Sequence, residues 1–209
     1  MSAPRVSGEL TNRGRRSRAA LVAAARTVFE RDGFQAARIT DIAKLAGMAH
    51  GSFYTYFSSK EEVFEEVVKG LLVELMGADG ARQDNGTDTI TRIERANRLY
   101  LEAYSRHSRL LRTWEEVATF DDQLAGLLRV AKLQFVTRAE RTLRTLQLAG
   151  RIDPELDPHY AANALTEMVG GFAHAWFVTG EEFDLDRAVA QLTRLWVNAI
   201  ALDESKSIQ

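Results

Sequence analysis

The chain has 209 residues, 45 % of them hydrophobic, with three prolines, fourteen glycines and no cysteine. That is enough apolar matter for one large core or two modest ones, and it excludes disulfides and thiolate metal sites. The net charge of −2 conceals an asymmetry: residues 1–60 carry ten Lys/Arg against four Asp/Glu, a net of +6, whereas residues 61–209 carry 17 against 25, a net of −8. A basic quarter on an acidic body suggests a segment facing a polyanion, although a solvated Arg-rich tail would show the same balance. No apolar run reaches the roughly 18 residues of a membrane helix, and no signal core opens the chain. The expectation is a soluble, cytoplasmic protein without a membrane partner.

Residues 1–16 lack periodicity and are rich in Arg, Ser and Gly, which predicts a flexible basic arm. From Ser17 onward Leu21, Ala24, Ala25, Val28 and Phe29 recur at helical spacing, and Gly33 closes the segment. Thr40 is placed to cap a short helix holding Ile42, Ala43 and Leu45, which Gly47 ends. A third helix is expected from near Ala49 to about Phe57. Ser58 or Ser59 then caps a fourth, with Glu61 and Glu62 in the first turn where the helix dipole favours anions.

The stretch GADGARQDNGTD (Gly77–Asp88) reads as the clearest linker. Beyond it the pattern predicts a helix from about Ile90, a shorter one over Leu110–Phe120 and a long one over about Asp122–Leu148. After the two prolines of GRIDPELDP (Gly150–Pro158), two more follow, over about Asp157–Val178 and Asp186–Ala201. No strand pattern or repeat occurs. The fold class is therefore all-α, about nine helices, divided into an arm (1–16), a three-helix head (17–60) and a body (61–209).

A short helix, a tight turn at Gly47 and a second short helix make a helix-turn-helix layout. Ala43 and Ala46 are small where two helices cross, and Phe53 and Phe57, four apart, can anchor the second helix. Ala49, His50, Ser52 and Thr55 then project outward, with small side chains suited to base edges. Gly51 removes a side chain where a partner can approach the backbone. Tyr54 and Tyr56 offer hydroxyls, and Lys60 a charge, to phosphate oxygens. Each residue alone has a plainer reading: Phe53 and Phe57 as core, Tyr54 and Tyr56 as partly packed rings, Thr40 as a cap, Lys60 as a solvated cation. The set in register, beside a +6 segment, favours nucleic-acid contact.

The segments AARTVFERDGF (Ala24–Phe34) and TDIAKLAGMAHGSFYTYFSSKEEVF (Thr40–Phe64) resemble the TetR family of one-component transcriptional regulators, a likeness that spans Ser17–Phe64. The resemblance implies a homodimer held by a four-helix bundle from the last two helices of each chain. It also implies a palindromic double-stranded DNA operator, and a small-molecule effector in the body that releases the protein. Carried over by position, Thr40 meets phosphate or base, His50, Gly51, Ser52 and Thr55 form the reading face, and Tyr54, Tyr56 and Lys60 touch phosphates. Two departures occur. Position 50 is often Lys or Arg in the family, and His50 is a weaker, mostly neutral contact at pH 7. Met48 stands for the usual Val, an apolar replacement the turn can accommodate.

In the body, Tyr104, His107, Trp114, Phe120, Phe135, Met168, Phe172 and His174 are candidates for lining a pocket for a largely apolar ligand, though each is as readily core. Gly171, Ala175, Leu192, Trp196 and Ala199 are candidates for the dimer seam. Arg13, Arg15, Arg16 and Arg18 could add phosphate or minor-groove contacts from the arm. The alternative is a helical ligand-binding protein or enzyme without operator-specific DNA binding. Against an enzyme, His50, His107, His159 and His174 are scattered, and the adjacent Glu115 and Glu116 point about 100° apart on a helix. No catalytic residue, metal site or cofactor is expected.

Overall fold

A computed structural model describes residues 11–80 and 88–203, the side chains of 76–80 excepted. Among the described residues the chain forms eight helices and no strand. In chain order they are α1 (Asn12–Ala36), α2 (Ile39–Leu45), α3 (His50–Phe53), α4 (Lys60–Gly80), α5 (Thr89–Val117), α6 (Asp122–Leu148), α7 (Pro158–Phe177) and α8 (Leu185–Ala199). None is long and apolar enough to cross a membrane.

Four boundaries differ from expectation. The Thr11 hydroxyl accepts from the Gly14 amide at 3.2 Å, satisfying one of the orphan donors at a helix start. Helix α1 therefore begins at Asn12, and residues 12–16, expected in the arm, are helical; residues 1–10 lie outside the described residues. Gly33 (φ 72°, ψ 177°) interrupts α1 but does not end it, and the helix resumes to Ala36. No glycine or proline occurs between Thr89 and Val117, so the separate Leu110–Phe120 helix is instead the end of α5, which brings about nine helices to eight. Of the expected linker, Gly77–Gly80 belong to α4, residues 81–87 lie outside the described residues, and Asp88 caps α5 through the Thr91 amide at 2.8 Å. The long helix α6 has the expected bounds, with Asp121 as its cap.

The chain divides into two compact units at Leu71/Leu72, within α4. The first holds α1 to α3 and the start of α4. Its centre is an aromatic cluster: Phe29 and Phe64 meet edge to face at 4.8 Å, Phe34 and Phe64 at 5.2 Å, and Phe29 stacks on Phe34 at 5.6 Å. Such pairs add to the burial energy of the rings. Leu21, Val28, Ile42, Val63, Val67 and Val68 complete this core.

In the second unit α5 pairs with α8 and α6 with α7, and α5 also packs on α6 and α7. Buried polar groups lock these pairings. Asn97 Nδ2 donates to Thr193 Oγ1 at 3.1 Å between α5 and α8, and Trp114 Nε1 donates to the Leu124 carbonyl at 3.0 Å between α5 and α6. The buried Arg151 reaches Thr89 Oγ1 at 2.9 Å. At one end, Val136, Leu143, Leu146, Ile152, Ala162, Leu165 and Ile200 form an apolar cluster.

Replacing Phe64 by Ala removes the ring shared by both edge-to-face contacts. The expected loss is about 3–5 kcal/mol, read by circular dichroism as a lower unfolding temperature of the first unit.

Candidate functional site

Helix α2 opens at Arg38, whose extended backbone (φ −114°, ψ 139°) forms the N-cap without a side-chain bond. Thr40 is thus not the cap the sequence suggested: it lies inside the first turn, exposed. Gly47 (φ +70°) ends α2 in a Schellman turn, with Gly47 N–H donating to Lys44 O at 3.1 Å and Met48 N–H to Ala43 O at 2.9 Å. The left-handed backbone is what requires glycine there. The next helix, α3, is shorter than the expected 49–57. Beyond Phe53 the coil tightens, with Thr55 N–H bonded to Ser52 O at 3.2 Å and Tyr56 N–H to Phe53 O at 2.9 Å, a 3₁₀-type continuation that closes with Phe57 N–H on Phe53 O at 3.0 Å.

This coil sorts its residues by face. Phe53 and Phe57 are 0 % and 1 % exposed, with ring centroids 5.6 Å apart. Thr40, Ala49, His50, Gly51, Tyr54 and Thr55 are exposed, and Ser52 and Tyr56 half-buried. The ring of Tyr54 stands edge-on to His50 and to Phe53, each at 5.4 Å, so it is braced at the surface while 52 % exposed. A methyl group at Gly51 would meet no atom within 4 Å beyond its own helix. Nothing in the chain's own packing asks for glycine at that position.

The surrounding charges are only partly available. Arg18 pairs with Glu66 at 2.7 Å and lies over the Phe57 ring at 4.9 Å, a contact within the first unit and not an arm residue. Arg26 pairs with Glu30 and Arg31 with Asp32, and Arg15 bonds Asn12. The Lys60 ammonium donates to the carbonyls of Phe34 at 2.7 Å, Ala37 at 3.2 Å and Gln35 at 3.4 Å, and sits 4.5 Å from the Phe34 ring centroid. Its donors are engaged inside the protein, which the phosphate role read from sequence did not anticipate. Arg13, Arg16, Arg38 and Lys44 are exposed and have no side-chain partner among the described residues. Arg38 and Lys44 were missed in the sequence, although Lys44 lies one turn from Thr40 and so shares its face.

The eight candidate pocket residues have different surroundings. Trp114 is buried at the α5–α6 junction, and Phe120 is 57 % exposed because it follows the end of α5. Met168 packs on the apolar end cluster, and Phe172 contacts Trp176 and Phe183. Tyr104 and Phe135 do share one group of rings: Tyr100 lies 6.0 Å from Tyr104 and 5.6 Å from Phe135, and Tyr104 stacks near Phe177 at 6.1 Å. Burial, with smaller effects from Glu167 and Glu115, pushes the Tyr100 phenol up to about 12; burial and then Glu115 also raise that of Tyr104. The two histidines each face a carboxylate, His107 Nε2 toward Glu74 at 3.3 Å and His174 Nε2 toward Glu115 at 3.4 Å. A separate open groove of about 380 Å³ is lined by Leu101, Glu102, Ser105, Arg106, Trp176, Phe177 and Leu185, none of the eight.

Of the candidate seam residues, Gly171 and Ala199 are exposed and Ala175 and Trp196 half-buried. Leu192 is 2 % exposed and belongs to the chain's own core, so it offers no surface to a partner. Its neighbour Leu195, 51 % exposed, does. The buried Trp196 Nε1 has no hydrogen-bond partner among the described residues.

Residues 21–67, which contain the helix-turn-helix and its aromatic core, match the model for bacterial regulatory proteins of the tetR family. The HTH-type transcriptional repressor KstR2 of Rhodococcus jostii is 25 % identical over 197 residues, spanning 90 % of this chain and 92 % of its own. The HTH-type transcriptional regulator EthR of Mycolicibacterium smegmatis is 28 % identical over 207 residues, 91 % of this chain and 92 % of its own. The crystal structure of a regulator from Saccharomonospora viridis in complex with choline has the same fold, with a TM-score of 0.74 at 19 % identity over 87 % of this chain and 95 % of that one. An exposed α2–α3 face backed by buried Phe53 and Phe57, in the segment that matches the tetR-family model and on a chain similar to such regulators over about nine-tenths of its length, leads to one conclusion: this is a member of the TetR family of bacterial transcriptional regulators.

Proposed function

We propose that the protein is a dimeric repressor that reads a palindromic operator through α2 and α3 and is released by a small molecule bound in the second unit. The observation that carries this reading is the sorting of α3: two phenylalanines buried, and His50, Gly51, Tyr54 and Thr55 turned out, in a unit that also holds four exposed cations without a side-chain partner among the described residues. Ser52 and Thr55 are the base-reading groups, Thr40, Tyr54 and Tyr56 hold phosphates, and His50 contributes a further contact on the same face. Arg38 and Lys44 add phosphate contacts flanking Thr40. Two copies place their α3 helices roughly 34–36 Å apart, one turn of duplex. Such a protein works in the cytoplasm.

Repression is favoured by the likeness to KstR2, a transcriptional repressor. Pairing of copies uses the exposed Gly171, Leu195 and Ala199 of α7 and α8 together with the half-buried Ala175. The effector is a small, largely apolar molecule; the groove formed by Leu101, Trp176, Phe177 and Leu185 suits an apolar body, with Glu102 and Arg106 as polar handles. The choline complex of the Saccharomonospora viridis regulator supports a small-molecule effector as the class. The enzyme alternative draws no support from the relatives, which are regulators.

Selection of bound duplexes from random sequence at two salt concentrations tests the proposal. Enrichment of one palindrome is expected; recovery of unenriched DNA with a steep salt dependence would leave a basic surface without operator reading. Ser52→Ala or Thr55→Ala should alter which bases are preferred, and an unchanged preference would remove α3 as the reader. Gly51→Ala should fold as stably as the parent, since alanine favours a helix by about 1 kcal/mol, yet bind the selected duplex more weakly. Arg38→Ala and Lys44→Ala should each lower the slope of log affinity against log salt by about 0.9, the effect of one lost phosphate contact.

A further inference from the structure

Lys60 is the first residue of α4, where a cation opposes the helix's own dipole. Glu61 and Glu62 in the same turn fit that dipole; Lys60 does not. Its position is explained by another helix. The carbonyls of Phe34, Gln35 and Ala37 belong to the end of α1, where the last carbonyls lack intrahelical partners and the dipole is negative. Helix α1 carries no basic residue in its own last turn. The three ammonium donors of Lys60 supply what is missing, one to each carbonyl, at 2.7, 3.4 and 3.2 Å for Phe34, Gln35 and Ala37. The Phe34 ring, itself part of the buried aromatic cluster, holds the ammonium from one side at 4.5 Å.

Ala37 is the C-cap of α1 and is followed by Arg38, the N-cap of α2. Arg38 O in turn accepts from the Asp41 and Ile42 amides at 3.0 and 3.2 Å. The bond to Ala37 therefore fixes the point from which α2 departs, and with it Thr40, Lys44 and the turn into α3. We infer that Lys60 is a positioning residue for operator reading, which fastens the α1–α2 connection to the start of α4, and that it does not itself hold a phosphate. The inference rests on the operator-reading proposal for its effect on DNA, but its structural half stands without DNA.

Arginine separates the two roles. A compact ammonium can meet three converging carbonyls, whereas a planar guanidinium fork cannot; on a phosphate, arginine serves as well as lysine or better. Lys60→Arg and Lys60→Met are compared with the parent for binding to the selected palindrome and to a random duplex. Both should lose about tenfold or more in affinity for the palindrome, the scale of a lost bond to a charged group. Binding to random DNA and the salt slope should change little. Full retention by Lys60→Arg, with a slope lower by about 0.9 in Lys60→Met, would make Lys60 a phosphate contact and overturn the inference.

Hydrogen exchange on the DNA-free variants decides the structural half, even if the parent selects no palindrome and the operator reading itself fails. Faster exchange at Asp41 and Ile42, with the amides around Phe29 and Phe64 unaffected, is expected. Unchanged exchange in α2 would overturn the inference, as would uniform loss across the first unit with the palindrome-to-random ratio intact.

Discussion

The burial of Phe53 and Phe57 is the constraint on which the reading head depends. Two rings four residues apart on one short coil cannot both enter the core unless that coil lies flat against it. Once they are in, the orientation of every other residue of the segment follows. His50, Gly51, Tyr54 and Thr55 have no choice but to face out. The coil itself is barely helical, four residues of α3 and a tightened turn, and too short to be stable alone. Its geometry is imposed by packing, by the Schellman turn at Gly47 before it and by the capped start of α4 after it, where Ser59 Oγ accepts from the Glu62 amide at 3.2 Å.

Electrostatics add a second layer of selection. The N-terminal quarter of the chain carries a net +6, yet five of its nine cations among the described residues have internal partners. Arg18 braces Phe57 and Glu66, Arg26 and Arg31 pair with neighbouring carboxylates, and Lys60 closes α1. Among the described residues, what remains for a polyanion is a smaller set, Arg13 and Arg16 at the start of α1 and Arg38 and Lys44 around α2. Charge count thus overstates how many phosphates the surface can neutralise, and position identifies which residues do so.

How much of this was legible in the sequence depends on how local each cause is. The Gly47 turn, the Phe53/Phe57 spacing and the bounds of α6 are local, and all were readable. The start of α1 was missed because a single hydroxyl, Thr11, moves it five residues into a stretch whose composition suggests disorder. A separate helix over Leu110–Phe120 was expected, but without a glycine or proline nothing breaks α5 before Val117. The role of Lys60 was out of reach, since its three carbonyls lie 23 to 26 residues earlier in the chain. For the pocket candidates the limit is different: aromatic content says that large side chains are present, not which helix face each occupies. Trp114 and Phe120 lie six residues apart, and one is deep core while the other is exposed.

The account's central claim is that the surface left outward by the buried phenylalanines is the one that reads DNA. A crystal structure of the protein on a duplex recovered by selection tests it most directly. The account predicts α3 in the major groove, Ser52 and Thr55 within hydrogen-bond distance of base edges, and Arg38 and Lys44 at the flanking phosphates. A complex in which the duplex touches only the start of α1, with α3 facing solvent, would contradict it.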